Sequence, residues 1–341
     1  MSETMKAARL YAPREIRVEE RPTPVPGPGE VLVRVRAVSI CPSDLRLYEE
    51  NVASGGVIPD HPMILGHEFS GEIAAFGPGV SAPALGTRVA VEPSWACHEC
   101  DMCRRGLPNL CRHIIFPSFP QRDGALAEFI ACPADAVYPL PESVSFAEGA
   151  LVEPLGVAIH ALRLSGLAPE DRAIVLGAGA IGMFVMLLAR LQGVGSLALV
   201  EPSAGRRVWP ERLGVSPVVA SAEELLAAGA EADLVFECSG DNRALGQGLP
   251  LVRPAGRMIV VGIPHPDEVC FDSAIPRRRE LTVTFSRRSR NTLEDGVALL
   301  ADGRLDLKSF PLRSYTLDQA AEALEATAAR PGDMLRALVT P

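Results

Sequence analysis

Apolar and charged residues alternate from Val31 to Val38, VLVRVRAV, which is the period of a strand that buries one face. A Pro/Gly-rich loop, RPTPVPGPGE, precedes it, and further short strand-like runs, GEIAAFG and TRVAVEP, follow between glycines and prolines. The first 150 residues therefore predict a mostly β domain with irregular loops. Around Leu151 the pattern changes: LVEPLGVAIHALRLSG has helical character, and beyond it continuous apolar runs alternate with helical stretches. Those runs are AIVLG at 173–177, LALVE at 197–201, PVVAS at 217–221, DLVFECSG at 233–240, RMIVVG at 257–262 and LTVTF at 281–285. Strands without polar alternation are covered on both faces, so this region predicts a doubly wound parallel sheet and the chain an α/β fold. From Ser286 onward two helical patterns, TLEDGVALLADG and TLDQAAEALEATAARPG, lead into a last strand, MLRALVTP, which most economically returns to the first domain. The expected division is residues 1–150 and 286–341 in one domain and 151–285 in the other. Pro210, inside RRVWPERLG, is expected to kink or shorten its helix.

With 341 residues, 48% of them hydrophobic, the chain can bury two cores of ordinary size. Its formal net charge of -9 offers no basic stripe to neutralise phosphates, so nucleic acid is not an expected partner. The opening MSETMKAARLYAPREIRVEE mixes charges of both signs, and no uninterrupted apolar run reaches the roughly 18 residues a membrane span needs. Neither a secretion signal nor a membrane partner is expected, and the cytoplasm is the expected compartment.

The run AIVL leads directly into Gly177-Ala-Gly179-Ala-Ile181-Gly182 and then the apolar helical stretch MFVMLLARL. Strand, G-x-G-x-x-G and helix in that order form a dinucleotide fingerprint. The first glycine makes the tight turn, the second admits a pyrophosphate, and the third lets helix and strand pack closely. The alternative is an ordinary Gly-rich turn. Glu201 closes the next strand, where a carboxylate can accept from the adenosine ribose hydroxyls and would repel a 2'-phosphate; it can also be read as a solvated strand end. Arg206 and Arg207 follow closely and would favour NADP if Glu201 turned away, but NAD is the expected cofactor.

Of the eight cysteines, Cys97, Cys100, Cys103 and Cys111 crowd one segment, whereas Cys41, Cys132, Cys238 and Cys270 are scattered. Four thiolates on a short loop suit a closed tetrahedral zinc, a structural site with no position for substrate. A second, dispersed set comprises Cys41 in CPSD, His67-Glu68 in GHE, and Glu153 in VEPL. One thiolate, one imidazole and a carboxylate leave zinc near neutral and its fourth position open, as catalysis requires. Singly, each has a plainer reading: a buried thiol, a core histidine, a helix-start carboxylate.

Taken together, CPSD, GHEFSGEI, the four-cysteine loop, LVEPLGVAIHA, GAGAIG and VVGIP resemble the zinc-dependent medium-chain dehydrogenases, particularly the sorbitol, butanediol and threonine dehydrogenase branch. The resemblance covers essentially the whole chain. It implies a GroES-like β catalytic domain plus a Rossmann domain, assembled as a homodimer or homotetramer. The implied activity is hydride transfer between a secondary alcohol, of polyol, sugar or cyclitol type, and NAD, giving the ketone. By the same resemblance Cys41 and His67 match ligands of the catalytic zinc, and Glu68 and Glu153 match carboxylates that bind the metal or its water. Ser43 matches the hydroxyl that relays the substrate proton, and Asp44 the carboxylate that orients the zinc-bound histidine. Val261 in VVGIP and Arg288 in FSRRSRNT match cofactor contacts. Pro42, Leu47, Arg287 and Ser289 depart from the family pattern, which puts sorbitol itself in doubt and suggests a more polar pocket for a modified sugar, cyclitol or anionic alcohol. Two rival readings are a non-catalytic NAD-binding protein and a zinc-free quinone or enoyl reductase. The second leaves both metal sets unexplained.

Overall fold

A computed structural model describes residues 3–50, 62–119 and 122–341. The chain forms two compact units, one of Met1–Glu153 with Leu293–Pro341 and the other of Pro154–Thr292. These limits lie a few residues beyond those suggested by the change in sequence texture. The reason at the second crossing is local: Thr292 Oγ1 donates to the Gly156 carbonyl (2.9 Å), and Arg163 donates to the Asn291 carbonyl (3.0 Å). Those bonds tie segment 286–292 to the helix Val152–Ser165.

In the second unit the six apolar runs form the strands Arg172–Leu176, Ser196–Val200, Val218–Val219, Ala232–Glu237, Val252–Val260 and Thr282–Phe285. All neighbours pair in parallel, and the order across the sheet, numbering these strands along the chain, is 3-2-1-4-5-6. The direction of winding reverses between Arg172–Leu176 and Ala232–Glu237, and ligands of doubly wound sheets bind at such a reversal, beyond the carboxyl ends of the strands. Apolar side chains of the sheet and its helices, among them Leu176, Val235, Leu245 and Met258, make its core. DLVFECSG was expected as strand throughout, yet the strand stops at Glu237, because the carboxylate of that residue captures the backbone N–H groups of Ser239 and Gly240. Pro210 lies in the last turn of Ala204–Arg212, where its missing N–H removes only one late helical bond.

The first unit is built on the strand Glu30–Ser39, which pairs antiparallel with Glu68–Phe76, Phe129–Pro133 and Arg336–Thr340. Half-burial was expected of it. Instead both faces are covered, partly by the helix Phe146–Ala150, and only Arg34 is exposed. Arg34 stacks over Phe129 and the half-buried Arg36 bonds Glu72, so each guanidinium has a place to go. A separate three-stranded sheet joins Glu15–Pro22, Thr4–Ala12 and Met63–Ile64. The C-terminal strand inserts beside Ser39, with Ile40 N–H donating to the Ala337 carbonyl (3.0 Å), which brings Arg336 alongside Cys41 and Glu68. Among the described residues no helix is long and apolar enough to cross a membrane.

Candidate active site and metal centres

Cys41 ends the loop after Glu30–Ser39, and Pro42 opens the helix Pro42–Glu50, whose first turn carries Ser43 and Asp44. The Asp44 side chain is fully buried, and Oδ2 accepts from the Cys41 N–H (3.0 Å) while Oδ1 accepts from the Gly66 N–H (3.2 Å). The same Oδ1 lies 3.2 Å from His67 Nδ1. One carboxylate thereby fixes the loop bearing Cys41, the turn before His67 and the imidazole itself, turning Nε2 toward Cys41 and Ser43. Gly66 is required here: it has φ +91°, and a Cβ would come 2.8 Å from Val38 Cγ1. His67 and Glu68 then enter the strand Glu68–Phe76, with Phe116 packed against the imidazole at 5.0 Å between ring centroids.

Cys41 Sγ, a ring nitrogen of His67 and a carboxylate oxygen of Glu68 all lie within 4.8 Å of one another. Ser43 Oγ is 3.2 Å from Cys41 Sγ and 3.4 Å from His67 Nε2. Glu153 is buried and electrostatically coupled to Glu68 and His67, but it is not part of that close group. Burial, and then the charge of Glu68, push the Glu153 carboxyl up to about 8. Burial likewise raises the Cys41 thiol, with Glu68 adding to it. For His67 burial acts downward, but Asp44 and Cys41 outweigh it and hold the imidazolium well above its ordinary value.

Sequence reasoning missed Arg336. Its guanidinium is buried, donates to Glu68 Oε1 (3.2 Å) and reaches the Ile40 carbonyl (3.4 Å). A charged residue within the apolar strand RALVT was the available signal. The buried carboxylates of Asp44, Glu68 and Glu153 and the Cys41 thiol thus lie around the Arg336 guanidinium, and among the described residues Glu68 Oε2 is buried without a hydrogen-bond partner. A divalent cation that takes thiolate, imidazole and carboxylate ligands fits that donor set.

The four-cysteine loop gathers its sulfurs around one centre. Sulfur–sulfur distances of 3.5, 3.6, 3.9 and 4.0 Å link Cys97, Cys100, Cys103 and Cys111. A tetrahedron with zinc–sulfur bonds of about 2.3 Å has edges of roughly 3.8 Å, so the loop has the dimensions of a closed zinc site. Backbone N–H groups of Cys97 and His113 donate to Cys111, and that of Cys100 to Cys97. N–H groups of Arg112 and Cys103 pull the Cys100 thiol down to about 6, toward the thiolate that a metal needs. His98 points away and pairs with Asp135 (2.9 Å) at the surface.

In the second unit Gly177 has φ +98°, and a Cβ there would lie 2.9 Å from Ser239 Cα; any other residue would collide with that neighbouring turn. A Cβ on Gly182 would meet the Gly177 carbonyl at 1.9 Å, whereas one on Gly179 would meet nothing within 4 Å. The middle glycine therefore borders open space above the helix Ala180–Leu191, which no side chain caps and whose first turn carries half-buried Ile181. Glu201, buried, accepts from the Ala178 N–H (2.8 Å) and the Ser203 N–H (2.9 Å), so it stands directly over the fingerprint turn. Arg207 bonds the carbonyls of Glu201 and Pro202, and Arg206 follows in the first turn of Ala204–Arg212. Val261 lies at the end of the adjacent strand Val252–Val260 and donates to the Glu237 carbonyl (2.8 Å). Arg288, with φ +55°, follows Thr282–Phe285 at the sheet edge, apart from the fingerprint turn. Leu47 is buried in the core of the first unit and Ser289 in the second.

Residues 27–142 match the alcohol dehydrogenase GroES-like domain and residues 180–302 the zinc-binding dehydrogenase domain. The chain is 33% identical to the sorbitol dehydrogenase of Bacillus subtilis strain 168, over 99% of this chain and 98% of that one. Among solved structures it resembles an alcohol dehydrogenase from E. coli CFT073 complexed with NADH, with a TM-score of 0.91, 25% identity and full coverage of both chains. A zinc-binding dehydrogenase from Sinorhizobium meliloti 1021 bound to NADP gives a TM-score of 0.89 and 28% identity, again with full coverage of both chains.

Proposed function

Since the chain belongs to the zinc-dependent medium-chain dehydrogenase family, in the branch of the sorbitol dehydrogenases, it is an oxidoreductase acting on CH–OH groups, and we propose that it interconverts a secondary polyol-type alcohol and its ketone with NAD. The observation that carries this reading is the convergence of Cys41, His67 and Glu68 within 4.8 Å. These three are the residues we assign to the catalytic zinc. To Glu153, outside the close group but coupled to Glu68 and His67, we assign the metal's remaining position or its water, and to Cys97, Cys100, Cys103 and Cys111 the structural zinc. When bound, zinc supplies electrophilic stabilisation of a developing alkoxide and nicotinamide supplies the hydride acceptor.

The chain's own residues supply the rest. Asp44, 3.2 Å from Nδ1, orients the His67 ring, and Arg336 pairs with the Glu68 carboxylate inside the buried site. Ser43 Oγ, beside both Cys41 and His67, relays the substrate's hydroxyl proton, accepting it as its own hydroxyl proton passes on to solvent. Gly177, Gly179, Ile181 and Gly182 receive the pyrophosphate on helix N–H groups, and Val261 and Arg288 complete the cofactor contacts. Glu201 keeps a free lone pair on each oxygen for the ribose hydroxyls and repels a 2'-phosphate, which favours NAD over NADP despite Arg206. The enzyme works in the cytoplasm as a homodimer or homotetramer, the arrangement that the family likeness implies.

Replacement of Cys41 by Ser tests the assignment. Turnover of a polyol panel, followed as NADH absorbance, should fall at least about a thousandfold, while NADH binding measured by fluorescence stays within about twofold. Turnover near the wild-type rate would refute the role of Cys41.

A further inference from the structure

Glu237 is a buried acid, 2% exposed, at the end of the strand Ala232–Glu237, and the mechanism above does not use it. Its Oε1 accepts three hydrogen bonds, from the Ser239 N–H (2.7 Å), the Ser239 hydroxyl (2.6 Å) and the Gly240 N–H (3.1 Å). All three donors belong to one turn. That turn fills the place where Gly177 lacks a side chain: a Cβ on Gly177 would lie 2.9 Å from Ser239 Cα and 3.0 Å from Ser239 N. On the opposite side, a Cβ on Gly262 would come 2.5 Å from both Glu237 Oε2 and the Gly240 nitrogen. The carboxylate and its turn are therefore clamped between the first glycine of the fingerprint and the glycine of VVGIP, at the point where the sheet reverses its winding.

We propose that Glu237 is a positioning residue for the dinucleotide: by holding Ser239 and Gly240 it sets the wall against which Gly177 makes its turn. The inference rests on the reading of Gly177–Gly182 as the NAD site. Burial raises the Glu237 carboxyl from its ordinary value, while the Ser239 and Gly240 donors act the other way. A group kept in such a place at a desolvation cost has its worth in the geometry that it imposes.

The test compares NADH affinity, read by fluorescence titration, with zinc content and thermal unfolding. The zinc-loaded proteins are wild type, Glu237→Ala, Glu237→Gln, Ser239→Ala and Gly262→Ala. In Glu237→Ala the Kd for NADH should rise about tenfold, the scale of one lost charge-assisted hydrogen bond, with KM for NAD rising in step and kcat nearly unchanged. Glu237→Gln, whose amide oxygen still accepts, should recover most of the affinity. Gly262→Ala, which leaves the carboxylate intact but displaces the turn, should weaken NADH binding to a similar degree. Affinities within about twofold of wild type for both Glu237→Ala and Gly262→Ala would overturn the inference. If Glu237→Ala fails to fold, Gly262→Ala and Ser239→Ala decide by the same criterion. A wild-type protein that binds neither NADH nor NADPH overturns instead the reading of the fingerprint itself, and with it the inference.

Discussion

The ion pair between Arg336 and Glu68 offers the sharpest perturbation of the metal centre, because both side chains are almost fully buried, 5% and 1% exposed. At the observed 3.2 Å, and with an effective dielectric constant of about 20, their attraction is worth about 5 kcal/mol. Desolvation offsets much of that in the intact pair. Removing one partner leaves the other charge buried and uncompensated, so the loss is about 3–5 kcal/mol rather than the small net value of the pair. Arg336→Met keeps much of the volume and deletes the charge, leaving Glu68 beside Glu153 with no guanidinium. In a unit of this size the transition temperature should fall by on the order of 10 °C. Arg336→Lys restores a charge without the fork and should recover part of the loss. Urea unfolding of the zinc-loaded proteins, with zinc content determined on the same samples, separates lost stability from lost metal. An Arg336→Met protein that retains its zinc and unfolds at the wild-type urea concentration, with the same slope, would refute the reasoning.

The second unit was legible in the sequence almost strand by strand, because a parallel sheet covered on both faces writes continuous apolar runs with glycines at their ends. What was not legible there came from side chains that bond locally: Glu237 ends its strand three residues before the apolar pattern does, since Ser239 and Gly240 turn back onto its carboxylate. In the first unit VLVRVRAV suggested one solvated face, but pairing along both edges and a helix across it bury residues of both parities. At the metal centre, residue type and motif named Cys41, His67 and two candidate carboxylates, yet sequence spacing carried no information on which carboxylate lies closer. That depended on register: Glu68 opens a strand opposite Ser39, next to the loop of Cys41, whereas Glu153 begins a helix. Arg336 was invisible for the same reason. It lies 268 residues from Glu68, and only the insertion of the last strand beside Glu30–Ser39 makes them partners.

Cys103→Ser should lower the zinc content from about two per chain to about one and reduce the transition temperature first, with NADH affinity unchanged, because the four-sulfur loop is a staple remote in chemistry from the fingerprint; unchanged zinc content by metal analysis would contradict the site. His160 yields a pH-dependent prediction that is independent of either metal set. Burial first, then the cations Arg290 and Arg163, depress its pKa from 6.5 to about 4, so the folded chain holds this imidazole neutral where the unfolded chain protonates it. Its contribution to stability is complete above about pH 6.5, is lost as pH falls toward 4 and changes no further below that, for a total of about 3 kcal/mol. His160→Gln should flatten that part of the stability–pH curve measured by urea unfolding, and identical slopes for wild type and variant between those pH values would show that His160 is not the group responsible.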